Sequence, residues 1–299
     1  MNTRSHESAG GLTATGVTVL GLAVNAALGV AKVLAGILWH SQTIFADGLH
    51  SLSDLASDVA VLAGLRVSGR PADEDHRYGH RRAMTLATAV LALLLMGATA
   101  FIGYHALQDL LARVSPPIQA SLPLAIAVVS IVSKEWLYRL TLRVGRRAGD
   151  TSVVANAWHH RGDAWSSVAA AAGLAAVAFG GQRWHFVDHV TALVLGVVLA
   201  VIAYRILGQA IAELMDRAPS RATIRRIEQA VLATDGVRGF HALRARRLGG
   251  MVEMDIHVQV DPLLTVRRGH DIARDVRSQV EAACPDVVSV IVHVEPAEA

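Results

Sequence analysis

Apolar residues are spread unevenly along this chain of 299 residues; they gather into long runs up to about residue 208 and thin out beyond it. A helix needs about 20 predominantly apolar residues to cross the hydrocarbon core of a bilayer. Six stretches reach that length, at about 13–38, 43–66, 83–112, 117–144, 153–179 and 186–208. The fourth opens at Pro116-Pro117, where proline suits a first helical turn. From about residue 209 the period changes. Residues 220–233 carry Ile224, Ile227, Ala230 and Val231 on one stripe and read as an amphipathic helix. A strand follows at about 237–247, then a turn at Gly249-Gly250. In the next strand Val252, Met254, Ile256, Val258 and Val260 face one way, and Glu253, Asp255, His257 and Gln259 the other. Residues 266–283 make a second amphipathic helix, and Val287 to Glu295 a last strand. The predicted fold is an α-helical membrane protein with six transmembrane helices (1–208) and a C-terminal α/β domain (209–299). The order αββαβ gives that domain a small sheet with helices on one face, a ferredoxin-like layering.

Composition agrees with this division. With 53% hydrophobic residues, 18% charged residues and a mean hydropathy of +0.39, the chain is too apolar for an ordinary soluble enzyme. The formal charge of +3 does not call for nucleic acid, because the arginines sit in loops beside the spans. Arg66, Arg70, Arg77, Arg81 and Arg82 follow span two, and Arg139, Arg143, Arg146 and Arg147 follow span four. The opposite side holds little beyond Arg113 and Arg183. The positive-inside rule then puts both termini, both arginine-rich loops and the C-terminal domain in the cytosol. The first dozen residues are polar and lack the features of a signal peptide. A single cysteine, Cys284, excludes an internal disulfide framework and a cysteine-based zinc site. Lysine occurs only at 32 and 134; Lys134 and Glu135 lie late in span four, close to its arginine-rich end, so snorkelling toward the cytosol is expected.

Two short patterns carry the chemistry: His50-x-x-x-Asp54 in span two and His159-x-x-x-Asp163 in span five. Residues four apart on a helix share a face, with Cβ atoms roughly 6 Å apart. Two such faces brought together offer two imidazoles and two carboxylates around one point, a donor set that Zn²⁺ or a similar divalent ion accepts. Ionised acids in apolar surroundings need a compensating cation, and ionisable residues inside a span are functional candidates by default. His160, three residues from Asp163, shares enough of that face to compete with His159 as ligand. Asp47 and Asp58 lie one turn before His50 and one turn after Asp54; they either line the ion path, orient a ligand, or face a water-filled vestibule. Outside the spans, Asp73, His76 and His80 have separations that suit three ligands on one metal, or else form a solvated histidine loop beside the headgroups. In the tail, His293 and Glu295 share one strand face and His257 lies on the polar face of its own strand.

These residues resemble the cation diffusion facilitator family of divalent metal cation/proton antiporters. Ala46-Asp47-Gly48-Leu49-His50-Ser51-Leu52-Ser53-Asp54 is similar to the family's second-span signature. Asp73-Glu74-Asp75-His76-Arg77-Tyr78-Gly79-His80 looks like its loop between spans two and three, and Trp158-His159-His160-Arg161-Gly162-Asp163 its fifth-span signature. The resemblance covers essentially the whole chain. It implies a homodimeric exporter in a bacterial inner membrane that exchanges cytosolic metal for protons, with His50, Asp54, His159 and Asp163 as the transport site. A His-Asp pair on span two is similar to that of zinc-preferring members, whereas two carboxylates there go with broader metal choice. The resemblance also implies a metal site at Asp73, His76 and His80, and a cytosolic cluster at the dimer contact formed by His241, His257, His270, His293 and Glu295. The family usually has aspartate at the last of these positions, so Glu295 is a longer ligand. Arg82 and Asp216 match a charge pair that ties the membrane and soluble parts together.

Donor chemistry supports zinc over Mg²⁺ or Ca²⁺, which want all-oxygen shells, but leaves Fe²⁺, Co²⁺, Cd²⁺ and Ni²⁺ open. Two other classes fit less well. An intramembrane metalloenzyme lacks an H-E-x-x-H pattern and an evident general base beside the cluster. A membrane metal sensor acting through the tail would bind metal without moving it. The expected partners are divalent metal, protons, membrane lipid and a second copy of the chain, and no nucleic acid.

Overall fold

A computed structural model describes residues 13–112 and 119–297, setting aside the side chains of residues 14, 57–65, 112, 151, 152 and 182. Pro116-Pro117 and the side chain of Asp58 lie outside the described residues. Six long helices come first: α1 (Ala14–Leu38), α2 (Gln42–Ser68), α3 (Arg82–Ala112), α4 (Ser121–Ala148), α5 (Thr151–Gly180) and α6 (Phe186–Leu214). All but α2 are apolar enough, by length and composition, to cross a membrane. α2 has the length, about 40 Å for its 27 residues at 1.5 Å per residue. What lowers its apolar character is its polar content, Gln42, Thr43, Asp47, His50, Ser51, Ser53 and Asp54 among others. After α6 come α7 (Arg221–Leu232), β1 (Gly239–Leu248), β2 (Met251–Val260), α8 (Val266–Ala283) and β3 (Val287–Pro296), the predicted αββαβ order.

The described residues pack as two compact units, one within 13–59 and 91–205, the other within 60–90 and 206–297. In the first, α4 runs along α5 and α1 packs on α4. Lipid tails are as apolar as leucine, so membrane helices associate through close packing of small residues rather than through apolar burial alone. Gly36 of α1 sits on the backbone of Phe45, and Gly48 of α2 on the backbone of Val33. Buried alanines, among them Ala35, Ala46, Ala127, Ala170 and Ala192, continue this pattern, while Val19, Leu34, Leu94 and Val198 point outward. The start of α2 is held from α6: Asp188 accepts from Gln42 N at 2.8 Å, Thr43 N at 3.3 Å and Ser41 Oγ at 2.7 Å. That buried carboxylate satisfies amides that a helix start leaves without intrahelical partners.

In the second unit the strands run in the order β1-β2-β3, with β1 antiparallel and β3 parallel to β2. Ser220 and Thr265 cap α7 and α8, accepting from Thr223 N at 3.1 Å and Arg268 N at 3.3 Å. The alternation of β2 works as predicted. Val252, Met254, Ile256, Val258 and Val260 are buried against Ile227 and Val231 of α7 and Ile272, Val276 and Val280 of α8. A one-residue slip would turn this set to the other face, so burial pins the register. Gly249 and Gly250, with φ of 59° and 85°, make the turn between β1 and β2 in a region that side chains with a Cβ rarely adopt.

Candidate metal centre

Helices α2 and α5 bring the intramembrane residues together. One ligand atom each from His50, Asp54 and Asp163 lies within 4.8 Å of the other two. His50 Nε2 is 3.9 Å from Asp54 Oδ2, as the four-residue spacing requires. Asp163 Oδ2 is buried without a hydrogen bond, and a carboxylate oxygen in that position calls for a cation or a proton. His159 joins from the outer side, its Nε2 3.7 Å from Asp163 Oδ2, with 53% of its side chain exposed. His160 turns the other way. It is buried against Gly21 of α1, and neither ring nitrogen has a hydrogen-bond partner.

Both lysines are buried in this same unit, Lys32 at 0% and Lys134 at 1% exposure. Lys134 therefore departs from the snorkelling expectation; its ammonium donates inward to the carbonyl oxygen of Asp163 at 3.2 Å. Lys32 pairs with Asp47 at 2.7 Å and donates to Ser167 Oγ at 2.9 Å and Ser51 Oγ at 3.2 Å. Asp47 is thus buried rather than water-facing, and its Oδ1 also accepts from Ser166 and Ser167 of α5, at 2.9 and 3.3 Å. The signal for these lysines was available, since an apolar span rarely carries an uncompensated ammonium in its interior. Their partners come from other helices and could not be read from spacing.

In the second unit the loop residues also converge. Asp73 Oδ1 accepts from His76 N at 2.7 Å, and its two oxygens lie 3.4 Å from His76 Nδ1 and 3.4 Å from His80 Nε2. The hydrogen bond from the His76 amide is the main reason the Asp73 carboxyl is held below the usual carboxylate range. The rings of His76 and His80 stand 4.4 Å apart, so three donors share one exposed loop.

Strand register assembles the tail cluster. His241, His257 and His293 are direct partners across β1, β2 and β3 and form one row on the open face of the sheet. A bulge in β1 after His241, with Ala242 at φ 50°, breaks the ladder just beyond that row. Glu295, two residues past His293, reaches back to all three histidines, at 2.6 Å from His241 Nε2, 2.7 Å from His257 Nδ1 and 3.4 Å from His293 Nε2. Hydrogen bonds from His241 first, and His257 next, keep its carboxyl below the usual glutamate range. His270 is not brought into this group; it is an exposed residue of α8. Arg82 and Asp216 do pair, and Arg82 Nη1 donates to Leu214 O at 3.1 Å while Arg246 Nη1 lies 3.5 Å from Asp216 Oδ2.

The chain matches two family models end to end. Residues 18–215 match the cation efflux transmembrane domain, and residues 219–297 the cytoplasmic domain of cation efflux proteins. Metal tolerance protein C1 of Arabidopsis thaliana is 35% identical over 93% of this chain, which spans 61% of that relative's length. The manganese efflux system protein MneP of Bacillus subtilis is 29% identical, over 94% of this chain and 95% of its own. The magnetosome protein MamM of Paramagnetospirillum magneticum is 31% identical, over 94% and 87%. Both family models match in chain order and together cover almost the whole chain, and the chain belongs to the cation efflux, or cation diffusion facilitator, family of divalent-metal transporters.

Proposed function

We propose that this protein is a homodimeric exporter of divalent metal, zinc first, that exchanges cytosolic metal for protons. Residues 1–208 form its transport domain, and residues 209–299 its cytosolic metal-binding and dimerisation domain. The observation that carries this reading is the convergence of His50 and Asp54 of α2 with Asp163 of α5, with His159 beside Asp163 as the fourth donor. An imidazole binds metal only when neutral and a carboxylate only when ionised, so metal binding releases protons and protonation expels metal. Imidazole changes charge near neutral pH, which lets a modest proton gradient drive the exchange. The loop cluster and the tail cluster serve as accessory sites; metal at the tail row favours the closed dimer.

Manganese is the second reading, because relatives of this length are named manganese efflux proteins. Two imidazoles in the donor set speak for zinc, since manganese prefers oxygen. Proteoliposomes loaded at one pH and diluted into another, with Zn²⁺, Fe²⁺, Co²⁺, Cd²⁺, Ni²⁺ and Mn²⁺ in competition, test both the metal and the proton coupling. Zinc flux that follows the pH gradient is the expected result. Retention of full transport by Asp54→Ala or Asp163→Ala would falsify the site assignment.

A further inference from the structure

Among the described residues, Asp47 is a buried acid next to the transport site that is not grouped with the candidate metal ligands. It lies three residues before His50 on α2, one turn away on the same side of the helix. Its second anchor is on α5, where the Ser166 hydroxyl lies 2.9 Å from Asp47 Oδ1 and 2.8 Å from the carbonyl oxygen of Asp163. Asp47 is therefore adjacent to both helices that supply ligands, and it is almost wholly buried. What occupies it is Lys32. That ammonium forms an ion pair with Asp47 Oδ2 at 2.7 Å and donates to the hydroxyls of Ser51 and Ser167. A buried acid with two hydroxyl donors and a full ion pair has no charge left to offer a passing cation.

We propose that Lys32 is an affinity- and selectivity-setting residue: its ammonium withholds Asp47 from the transported ion, so that the ion meets two carboxylates instead of three. This inference rests on the transport-site reading above. The charge count gives the reason. Asp54 and Asp163 balance a divalent cation, and a third free carboxylate within a turn would leave the loaded site with a net negative charge in a medium of low dielectric. Such a site binds tightly and releases slowly. It is also richer in oxygen, which moves preference from zinc toward manganese. Lys32 removes that third charge without removing the residue that joins α2 to α5.

The test is a charge cycle read as a split between KM and turnover for zinc uptake by proteoliposomes carrying the full chain. Lys32→Met frees Asp47; KM for zinc falls by about tenfold or more, turnover falls with it, and manganese competes better. Asp47→Asn leaves the ammonium unpaired beside the site, so KM rises. The double variant Lys32→Met/Asp47→Asn removes both charges, and replacing a buried pair by neutral groups is tolerated far better than breaking it; its KM returns to within about threefold of the parent. Lys32→Arg keeps the charge and the parental KM. A purely structural pair would lower turnover in both single variants and move KM in no opposed directions. Should Lys32→Met not fold, Asp47→Asn and the double variant decide: a KM that falls in Asp47→Asn, or stays raised in the double variant, overturns the proposal. Asp54→Ala and Asp163→Ala are run alongside. If they keep transport, the site reading fails; if they lose it while the charge cycle leaves KM unmoved, only the role given to Lys32 fails.

Discussion

Gly48→Ala adds one methyl group to α2, two residues before His50, and no ligand is touched. A Cβ at this position would lie 2.7 Å from the Val33 backbone nitrogen and 2.9 Å from Lys32 Cβ and Val33 Cγ2. The nearest of these atoms is backbone, so no rotamer change relieves it. Ordinary contact begins at 3.4 Å, and α1 and α2 must part by about 0.7 Å at the crossing. Overpacking of this kind costs about 1–3 kcal/mol. The displacement also exceeds the tolerance of about 0.2 Å within which metal–ligand distances normally hold. Thermal unfolding of the detergent-solubilised protein and zinc-uptake kinetics in proteoliposomes measure the two consequences. Gly48→Ala is expected to melt lower and to lose most of its transport. Gly97→Ala and Gly103→Ala on α3 serve as controls, because a Cβ there meets nothing within 4 Å. They are expected to be unchanged or slightly stabilised, alanine being the better helix former by about 1 kcal/mol. Parental melting and transport in Gly48→Ala, or equal damage in the controls, refutes the argument from helix contact.

His159→Ala is expected to lower zinc transport at least about tenfold through loss of one donor, whereas His160→Ala lowers the melting temperature and leaves KM alone; the reverse outcome moves the fourth ligand to His160. Glu295 has a folded-state pKa below its ordinary value of 4.5, so the stabilisation it lends the tail is in place above that value and is lost as pH falls through the lowered one. Melting of the metal-free 209–299 domain followed downward from pH 7 should therefore decline less steeply on the acid side in Glu295→Gln than in the parent. Ile256→Ala opens a hole in the middle strand of a core that closes entirely within the tail, and is expected to cost about 2–5 kcal/mol in denaturant unfolding. Arg82→Ala removes an exposed ion pair and should cost no more than about 1 kcal/mol, because solvent screens both partners.

The elements of this protein were legible along the chain because each announces itself within a window of 10–20 residues. Long apolar runs can only be spans, and the alternation from Val252 to Val260 can only be a strand with one buried face. His50 and Asp54, or His159 and Asp163, share a face by helical geometry alone. Distance between elements has no such local signature. Nothing in the spacing tells that α5 turns His159 outward and His160 onto Gly21, since both fit within a turn of Asp163. The same holds for Lys134, whose place near an arginine-rich helix end argued for the cytosol while its actual partner is a carbonyl of another helix. In the tail, parity assigned His257, His293 and Glu295 to polar faces, but the row they form with His241 depends on which residues register across three strands. Periodicity, then, decides what each element is and which side it buries, because backbone geometry repeats along the chain. Which buried charges meet, and therefore that Lys32 holds Asp47 beside the metal ligands, is decided only when four helices pack, because an ion pair inside a membrane forms wherever the fold brings its partners within reach.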